Sequence, residues 1–102
     1  MLDFVRVAKL SDVPVGECRE LELQGRLVAL FNVGGVIYAT DGTCPHAGGP
    51  LGAGSLEGPV VTCPWHAWQF DVTTGRNQYN PVCVLERYDV KIEGDEILLA
   101  LP

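Results

Sequence analysis

Two short arms of the chain each hold one cysteine and one histidine. The first reads C-P-H-A from Cys44, and the second, C-P-W-H-A from Cys63, repeats it with one residue inserted. Sixteen residues separate His46 of the first arm from Cys63, and His66 completes the second. Both histidines of the protein and two of its four cysteines lie in these arms. Because thiolates and imidazoles bind zinc and iron, the arms together indicate a metal site.

The spacing inside the arms separates two kinds of metal site. Zinc arms typically keep about two to four residues between paired ligands, whereas a single residue lies between Cys44 and His46. In a binuclear iron-sulfur cluster, each arm can give its cysteine to one iron and its histidine to the other. The spacing favours such a cluster, and a structural zinc module that acts as an interaction domain is the alternative.

The complete pattern resembles the Rieske 2Fe-2S family, in which two histidines replace two cysteines on one iron. The run G-G-P-L-G at 48–52, and the pairs F-D at Phe70 and T-G at Thr74, are similar to that family as well. The resemblance covers essentially the whole chain and is to a stand-alone Rieske ferredoxin.

The resemblance implies one 2Fe-2S cluster and a set of four ligands. Cys44 and Cys63 would bind the inner iron as thiolates, and His46 and His66 would bind the outer iron through neutral ring nitrogens. The glycines of the loops would allow backbone N–H groups to approach the sulfurs closely and would permit positive φ angles.

Departures from the family pattern predict a low reduction potential. High-potential Rieske proteins bridge their two loops with a disulfide, but Gly49 and Trp65 stand at those positions. They also aim serine and tyrosine hydroxyls at cluster sulfurs, where this chain has Trp68 and Phe70. We therefore expect a potential near the low end of the roughly −150 to +300 mV range of such centres. The same aromatic residues are expected to shield the cluster and to fill the seam beside it.

Two further cysteines, Cys18 and Cys83, stand outside the arms. We interpret them as reduced core thiols without a role in ligation. A disulfide between them is the alternative.

The segments around the arms predict an all-β fold. Residues 42–59 hold six of the twelve glycines and three of the seven prolines, which excludes a helix or a long strand there. Gly34-Gly35 and Gly94-Asp95 are typical of hairpin turns. Elsewhere the apolar runs and alternating patterns predict about eight short strands; they include 4–7, 21–23, 27–33, 36–38, 60–61, 88–92 and 97–99.

The fold class that follows is an antiparallel β-barrel or sandwich of the Rieske type. We predict one domain over residues 1–102, with a small loop-built cluster-binding lobe at about 43–76.

Composition limits the partners. Seven Lys plus Arg against thirteen Asp plus Glu give a net charge of -6, which repels both phosphate backbones and anionic lipids. The longest apolar runs have five residues, too few to span a bilayer. We expect a soluble cytoplasmic protein that binds neither nucleic acid nor membrane.

The function expected from the cluster is electron transfer without catalysis. A mononuclear iron site would need two more histidines and a carboxylate, and no G-x-G-x-x-G marks a dinucleotide site. By resemblance, the chain is the ferredoxin component of an aromatic-ring-hydroxylating dioxygenase system. It would carry single electrons from an NAD(P)H-dependent flavoprotein reductase to a terminal oxygenase. The alternative is the Rieske small subunit of an assimilatory NAD(P)H nitrite reductase, whose partner is the large subunit.

Charge distribution predicts where those partners bind. Between Gly42 and Phe70 the only charged residue is Glu57. We expect an apolar ring around the two histidines to contact the partner, formed by Pro45, Ala47, Pro50, Leu51 and Ala67.

Overall fold

The computed structural model describes residues 4–43, 50–64, 68–78 and 84–100. Within these ranges the chain forms ten strands. They are β1 (Phe4–Lys9), β2 (Cys18–Leu23), β3 (Arg26–Val33), β4 (Val36–Asp41), β5 (Ser55–Glu57), β6 (Val60–Thr62), β7 (Gln69–Asp71), β8 (Arg76–Asn77), β9 (Arg87–Glu93) and β10 (Glu96–Ala100).

Helical structure in the described ranges is confined to two 3₁₀ turns of three residues, Leu10–Asp12 and Leu51–Ala53. No helix in this part of the chain is long and apolar enough to cross a bilayer. The predicted all-β class is confirmed.

The strands form two antiparallel sheets. Six strands make the larger sheet, in the order β1-β10-β9-β4-β3-β2, and four make the smaller, in the order β5-β6-β7-β8. We call the larger sheet the body and the smaller one the lobe sheet. The predicted antiparallel barrel or sandwich is confirmed, and the lobe contains more regular structure than the loops expected from its glycines and prolines.

Tight turns set the register of the body hairpins. Gly34 and Gly35 connect β3 to β4 with φ of 61° and 100°, and Val33 pairs with Val36 across them. Positive φ at both central residues is the pattern of a type I′ turn, whose twist matches that of the strands. Both predicted hairpins are present, since Glu93 also pairs with Glu96 around Gly94-Asp95.

Strand β3 lies between two cores, which explains its nearly continuous apolar sequence. Val28 and Leu30 face one core, while Ala29 and Phe31 face the other; all four are fully buried. A strand covered on both faces reads as an unbroken hydrophobic run.

We call the first cluster the body core, because the larger sheet curls around it. Its buried members are Val13, Val28, Leu30, Ile37, Ala39, Tyr88, Ile97 and Leu99. The second cluster joins the body to the lobe sheet, and we call it the seam core. Its buried members are Ala29, Phe31, Leu51, Val61, Cys63, Phe70, Val72 and Leu85.

Candidate metal centre

Of the four predicted ligands, the structure describes Cys63. This residue follows the last residue of β6, belongs to the seam core and is 1% exposed. Cys44, His46 and His66 lie outside the described residues.

Backbone pairing closes the base of the first ligand segment, residues 44–49. Thr43 and Pro50, on either side of it, form an antiparallel bridge. One step further out, the Leu51 N–H donates to the Gly42 carbonyl at 2.9 Å. The chain therefore leaves and re-enters the body at one point.

The second ligand segment has a similar base. The β6–β7 pairing continues beyond Thr62 and Gln69, and the Cys63 N–H donates to the Trp68 carbonyl at 2.7 Å. Residues 64–67 therefore connect two paired backbones. We call the part of the molecule that carries Thr43, Pro50, Cys63 and Trp68 the ligand end.

The seam core joins the two bases. Leu51 belongs to it beside Cys63, and Trp68 packs against it. Apolar packing between the lobe sheet and the body thus sets the position of one segment relative to the other.

Leu51 corrects one of our expectations. We expected it on an exposed apolar ring, but its side chain is fully buried in the seam core. The 3₁₀ turn at Leu51–Ala53 turns this side chain inward just after the first segment re-enters the body. Pro50, from the same ring, is half-buried, while Pro45, Ala47 and Ala67 lie outside the described residues.

Two glycines allow close backbone approaches, Gly52 to the body and Gly54 to the lobe sheet. A Cβ on Gly52 would lie 2.6 Å from Cα of Glu20 in β2, and a Cβ on Gly54 would collide with the Thr62 carbonyl oxygen. Both close approaches are to backbone atoms, and the approach of loop glycines to the cluster sulfurs stays a prediction. Gly48 and Gly49 lie outside the described residues.

Cys18 is a thiol that bridges the body and the lobe. Its Sγ–H donates to the Gly54 carbonyl at 3.2 Å. Burial, and then the charge of Glu17, raise the pKa of this thiol above its usual range, so it stays protonated and can act as the donor. It is a free cysteine, as predicted, although half-buried rather than inside a core. Cys83 lies outside the described residues.

Two aromatic residues that follow the second segment, Trp68 and Phe70, occupy the seam. Phe70 is fully buried in the seam core and Trp68 packs against it. Their predicted place between lobe and body is confirmed. Trp65 lies outside the described residues.

A hydrogen-bonded group that the sequence analysis missed lies where β4 ends. The Tyr88 hydroxyl donates to Oδ1 of Asp41 at 2.6 Å, and Nη1 of Arg26 donates to the same hydroxyl at 3.3 Å. Burial, followed by the hydrogen bond to Asp41, raises the pKa of Tyr88 to about 12. The phenol is therefore neutral across the physiological range and available as a donor.

The arrangement fits a group bound between two loops through thiolate and imidazole. Each arm supplies one thiol and one imidazole, and the bases of both arms are closed by backbone pairing on one shared core. The buried Cys63 places one sulfur on the protein side of the site, where backbone pairing and apolar side chains surround it. A 2Fe-2S centre with two cysteines and two histidines uses this donor set.

Comparison with known proteins agrees with this chemistry. The family model of the Rieske [2Fe-2S] domain matches residues 3–93. The chain is 37% identical to the ferredoxin component of the naphthalene 1,2-dioxygenase system of Pseudomonas aeruginosa, across 96% of this chain and 95% of that protein.

Two solved structures extend the comparison. A structure of the complex of reduced oxygenase and oxidized ferredoxin in carbazole 1,9a-dioxygenase contains a chain that is 33% identical to this protein, with a TM-score of 0.85 over 95% of this chain and 92% of that one. A protein assigned as the small subunit of an NADH-dependent nitrite reductase from Mycobacterium tuberculosis has a TM-score of 0.89 at 18% identity, over 100% and 97% of the two chains, which shows a shared fold. The chain belongs to the Rieske [2Fe-2S] domain family, and its cofactor is a Rieske-type 2Fe-2S cluster.

Proposed function

We propose that this chain is the ferredoxin component of an aromatic-ring-hydroxylating dioxygenase system. In that role it carries single electrons from an NAD(P)H-dependent flavoprotein reductase to a terminal oxygenase. The observation that carries the proposal is the 37% identity to a dioxygenase ferredoxin over nearly the full length of both proteins. The ferredoxin–oxygenase complex of carbazole 1,9a-dioxygenase supports the oxygenase as the electron acceptor.

The proposed ligands are Cys44 and Cys63 on the inner iron and His46 and His66 on the outer iron. When bound, a 2Fe-2S cluster takes up and releases one electron. The protein holds the ligand segments at fixed bases, through the Thr43–Pro50 bridge and the Cys63–Trp68 hydrogen bond. The proposed cluster-binding lobe of a single domain lies at about residues 43–76, and β5 to β8, which ends at Asn77, form its sheet.

We assign the chain a carrier role without catalysis of its own. Its two histidines are both used by the proposed cluster site, whereas a mononuclear iron centre needs two more and a carboxylate. A cytoplasmic location belongs to the proposal, because NAD(P)H, the proposed electron source, is generated and used there.

A low potential is also part of the proposal. Phe70 shares the seam core with Cys63, and its ring carries no hydroxyl that could donate to sulfur. Trp68, the second such position, also lacks a hydroxyl group. Hydrogen bonds to sulfur stabilise the added electron, so the lack of these hydroxyls supports a potential toward the negative end of the Rieske range.

The small subunit of a nitrite reductase remains the second candidate. The observation in its favour is the shared fold, whereas sequence identity over the full length favours the dioxygenase ferredoxins. The two roles therefore have to be separated by the electron acceptor.

Reconstitution tests the function. The purified chain is combined with NADH, a flavoprotein reductase and the oxygenase of a naphthalene-type system, and product formation is measured with and without the chain. We expect turnover that requires the chain. Nitrite reduction with a nitrite reductase large subunit, and no turnover with the oxygenase, would contradict the dioxygenase assignment.

Cysteine variants test the ligand set. We expect two irons and two acid-labile sulfides per chain, and loss of both in Cys44→Ser and Cys63→Ser. Cys18→Ser is the matched control, because its hydroxyl can still donate toward Gly54 and it should retain the cluster. One zinc and no labile sulfide in anaerobically prepared protein would refute the ligand assignment.

A further inference from the structure

We propose that Tyr88 is a positioning residue for the cluster, acting through Asp41 on the start of the first ligand segment. The proposal rests on the ligand set above, since it assumes that Cys44 binds the cluster. No motif contains Tyr88, which lies 47 residues from Asp41 along the chain.

The three side chains of this group come from three neighbouring strands. Arg26 begins β3, Asp41 ends β4, and Tyr88 is the second residue of β9. Asp41 pairs with Val28, and Tyr88 pairs with Ala39. Directly paired residues share a face of a sheet, so all three side chains lie on the face of the body core, at one end of it.

Asp41 is the last strand residue before the first ligand segment. Its N–H donates to the Glu86 carbonyl at 2.9 Å, and the next N–H, of Gly42, donates to the Leu27 carbonyl at 2.8 Å. Thr43 follows and forms the bridge that closes the segment. Cys44 is therefore three residues beyond the carboxylate that accepts the hydrogen bond from Tyr88.

Backbone hydrogen bonds hold the main chain at Asp41, and its side chain needs a donor of its own. The carboxylate is half-buried, and a partly buried carboxylate without a partner pays its desolvation cost. Tyr88 is 6% exposed and its ring packs in the body core, which holds its hydroxyl at a fixed position. Arg26 donates to that hydroxyl, which directs the phenolic hydrogen toward Asp41.

Without the hydroxyl, the carboxylate must turn toward water or toward Arg26. Either movement pulls on the residue that determines the direction in which the first segment leaves the body. Two residue pairs and the backbone bond from Asp41 to Glu86 join the chain at this end of β4 to β9, and the side-chain bond between Tyr88 and Asp41 is a further link there. We therefore expect the cluster environment to respond to Tyr88 even though Tyr88 is not a ligand.

The test measures the cluster in five holoproteins: wild type, Tyr88→Phe, Asp41→Ala, the double variant and Tyr38→Phe. Cluster lifetime is followed as the loss of visible absorbance in excess chelator, and the reduced proteins are compared by EPR. Tyr38→Phe is the matched control, since Tyr38 also lies in the body sheet and packs against the seam core. In the described part of the chain its hydroxyl makes no hydrogen bond.

Tyr88→Phe should shorten the cluster lifetime about tenfold, the factor that corresponds to about 1.4 kcal/mol and to loss of a hydrogen bond to a charged group. Its EPR line should broaden or shift, while Tyr38→Phe keeps the lifetime and spectrum of wild type. Because Tyr88 acts through Asp41, Tyr88→Phe should have no further effect in an Asp41→Ala background.

Three results would overturn the proposal. The first is a Tyr88→Phe protein that unfolds more easily but keeps the wild-type lifetime and spectrum, which would show a purely structural role. The second is additivity of the two substitutions. The third result applies if the Tyr88→Phe chain fails to fold. An Arg26→Gln holoprotein is then measured as well, and wild-type cluster lifetimes in both Asp41→Ala and Arg26→Gln would overturn the proposal. Failure of the ligand set is distinguishable, because Cys44→Ser would then retain its cluster.

Discussion

Phe70 occupies a position where a hydroxyl would change the chemistry without changing the fold. Its ring is fully buried in the seam core, so a hydroxyl added there would lie in the same apolar core as the sulfur of Cys63. We expect Phe70→Tyr to raise the reduction potential, because donation to sulfur favours the reduced state. A rise of about 59 mV corresponds to a factor of ten for one electron.

Spectroelectrochemical titration of the purified variant measures this shift. Phe31→Tyr is the matched control, since Phe31 is equally buried in the seam core but lies on β3 of the body. An unchanged potential in a Phe70→Tyr protein that retains its cluster would contradict the role given to this position.

The raised pKa of Tyr88 predicts that the stability of the protein depends on pH in the alkaline range. Its folded-state pKa of about 12 exceeds the value of about 10 for an exposed tyrosine. Below pH 10 the phenol is protonated in both states, so its contribution to stability is fully present. Between pH 10 and 12 only the unfolded chain ionises, so the free energy of unfolding falls as pH rises.

Denaturant unfolding of wild type and Tyr88→Phe at a series of pH values checks this slope. Other titrating groups are common to both proteins, so the difference between the two curves isolates Tyr88. Wild type should lose stability more steeply than Tyr88→Phe above pH 10, and parallel curves would contradict the prediction.

The sequence predicted residues whose signal is local and missed those whose partners are distant. The arms at Cys44 and Cys63 can be recognised because cysteine and histidine stand within a few residues of each other. The bonds that Tyr88 makes connect residues 47 and 62 positions apart, so no spacing rule reveals them. Leu51 was misplaced because burial depends on the turn that follows the first segment and on the body packed beneath it.

At the scale of elements, strands were predicted where a turn or an alternating pattern identifies them. The β3–β4 and β9–β10 hairpins follow from Gly34-Gly35 and Gly94-Asp95. The lobe strands β5, β7 and β8 have only two or three residues each, too few to show a period. Pairing of β5 and β7 with β6, pairing of β8 with β7, and packing on the seam core hold them in place.

Gly54 shows how closely these short elements are packed. Its φ of −79° suits any residue, but an added Cβ would collide with the carbonyl oxygen of Thr62, the neighbour of Cys63. We expect Gly54→Ala to cost about 3 kcal/mol, at the upper end of overpacking effects, and to reduce cluster content. The backbone oxygen of Thr62 cannot move without moving Cys63, the proposed ligand beside it.

Gly58→Ala is the control for this prediction. Gly58 has a φ of +57° and nothing within 4 Å of an added Cβ, so the substitution should cost about 1 kcal/mol through backbone strain alone. Its cluster content should match that of wild type. Unfolding curves and iron content of both variants test this prediction. A Gly54→Ala protein with the stability and iron content of wild type would contradict the packing argument.

For the whole molecule, the arrangement of charge relative to the ligand end determines how partners approach. The net charge is -6, yet Glu57 is the only charged residue between Gly42 and Phe70. We therefore expect a basic partner to be attracted by the acidic body and to make contact at the ligand end, whose own segments carry little charge. Electrostatic steering of this kind changes the association rate and weakens as salt is added.

Substitution of two acidic residues at different distances from the ligand end distinguishes local electrostatic steering from an effect of the net charge. Glu20 is exposed and its Cα lies against Gly52, two residues after the Thr43–Pro50 bridge. Asp95 is exposed in the turn after β9. That strand begins at Arg87, which pairs with Thr40 three residues before Thr43, and its far end is about 20 Å away at ~3.3 Å per residue.

We expect Glu20→Gln to slow association with a basic oxygenase or reductase about twofold at low salt. Two unit charges ~10 Å apart in water interact by about 0.4 kcal/mol, which corresponds to that factor. Asp95→Asn removes the same charge, but at a distance beyond the screening length of about 10 Å at 0.1 M salt, so it should have little effect. Stopped-flow association rates across a salt series check both variants, which should converge on wild type at high salt. Equal slowing by Glu20→Gln and Asp95→Asn would show that net charge, rather than the charge beside the ligand end, governs the encounter.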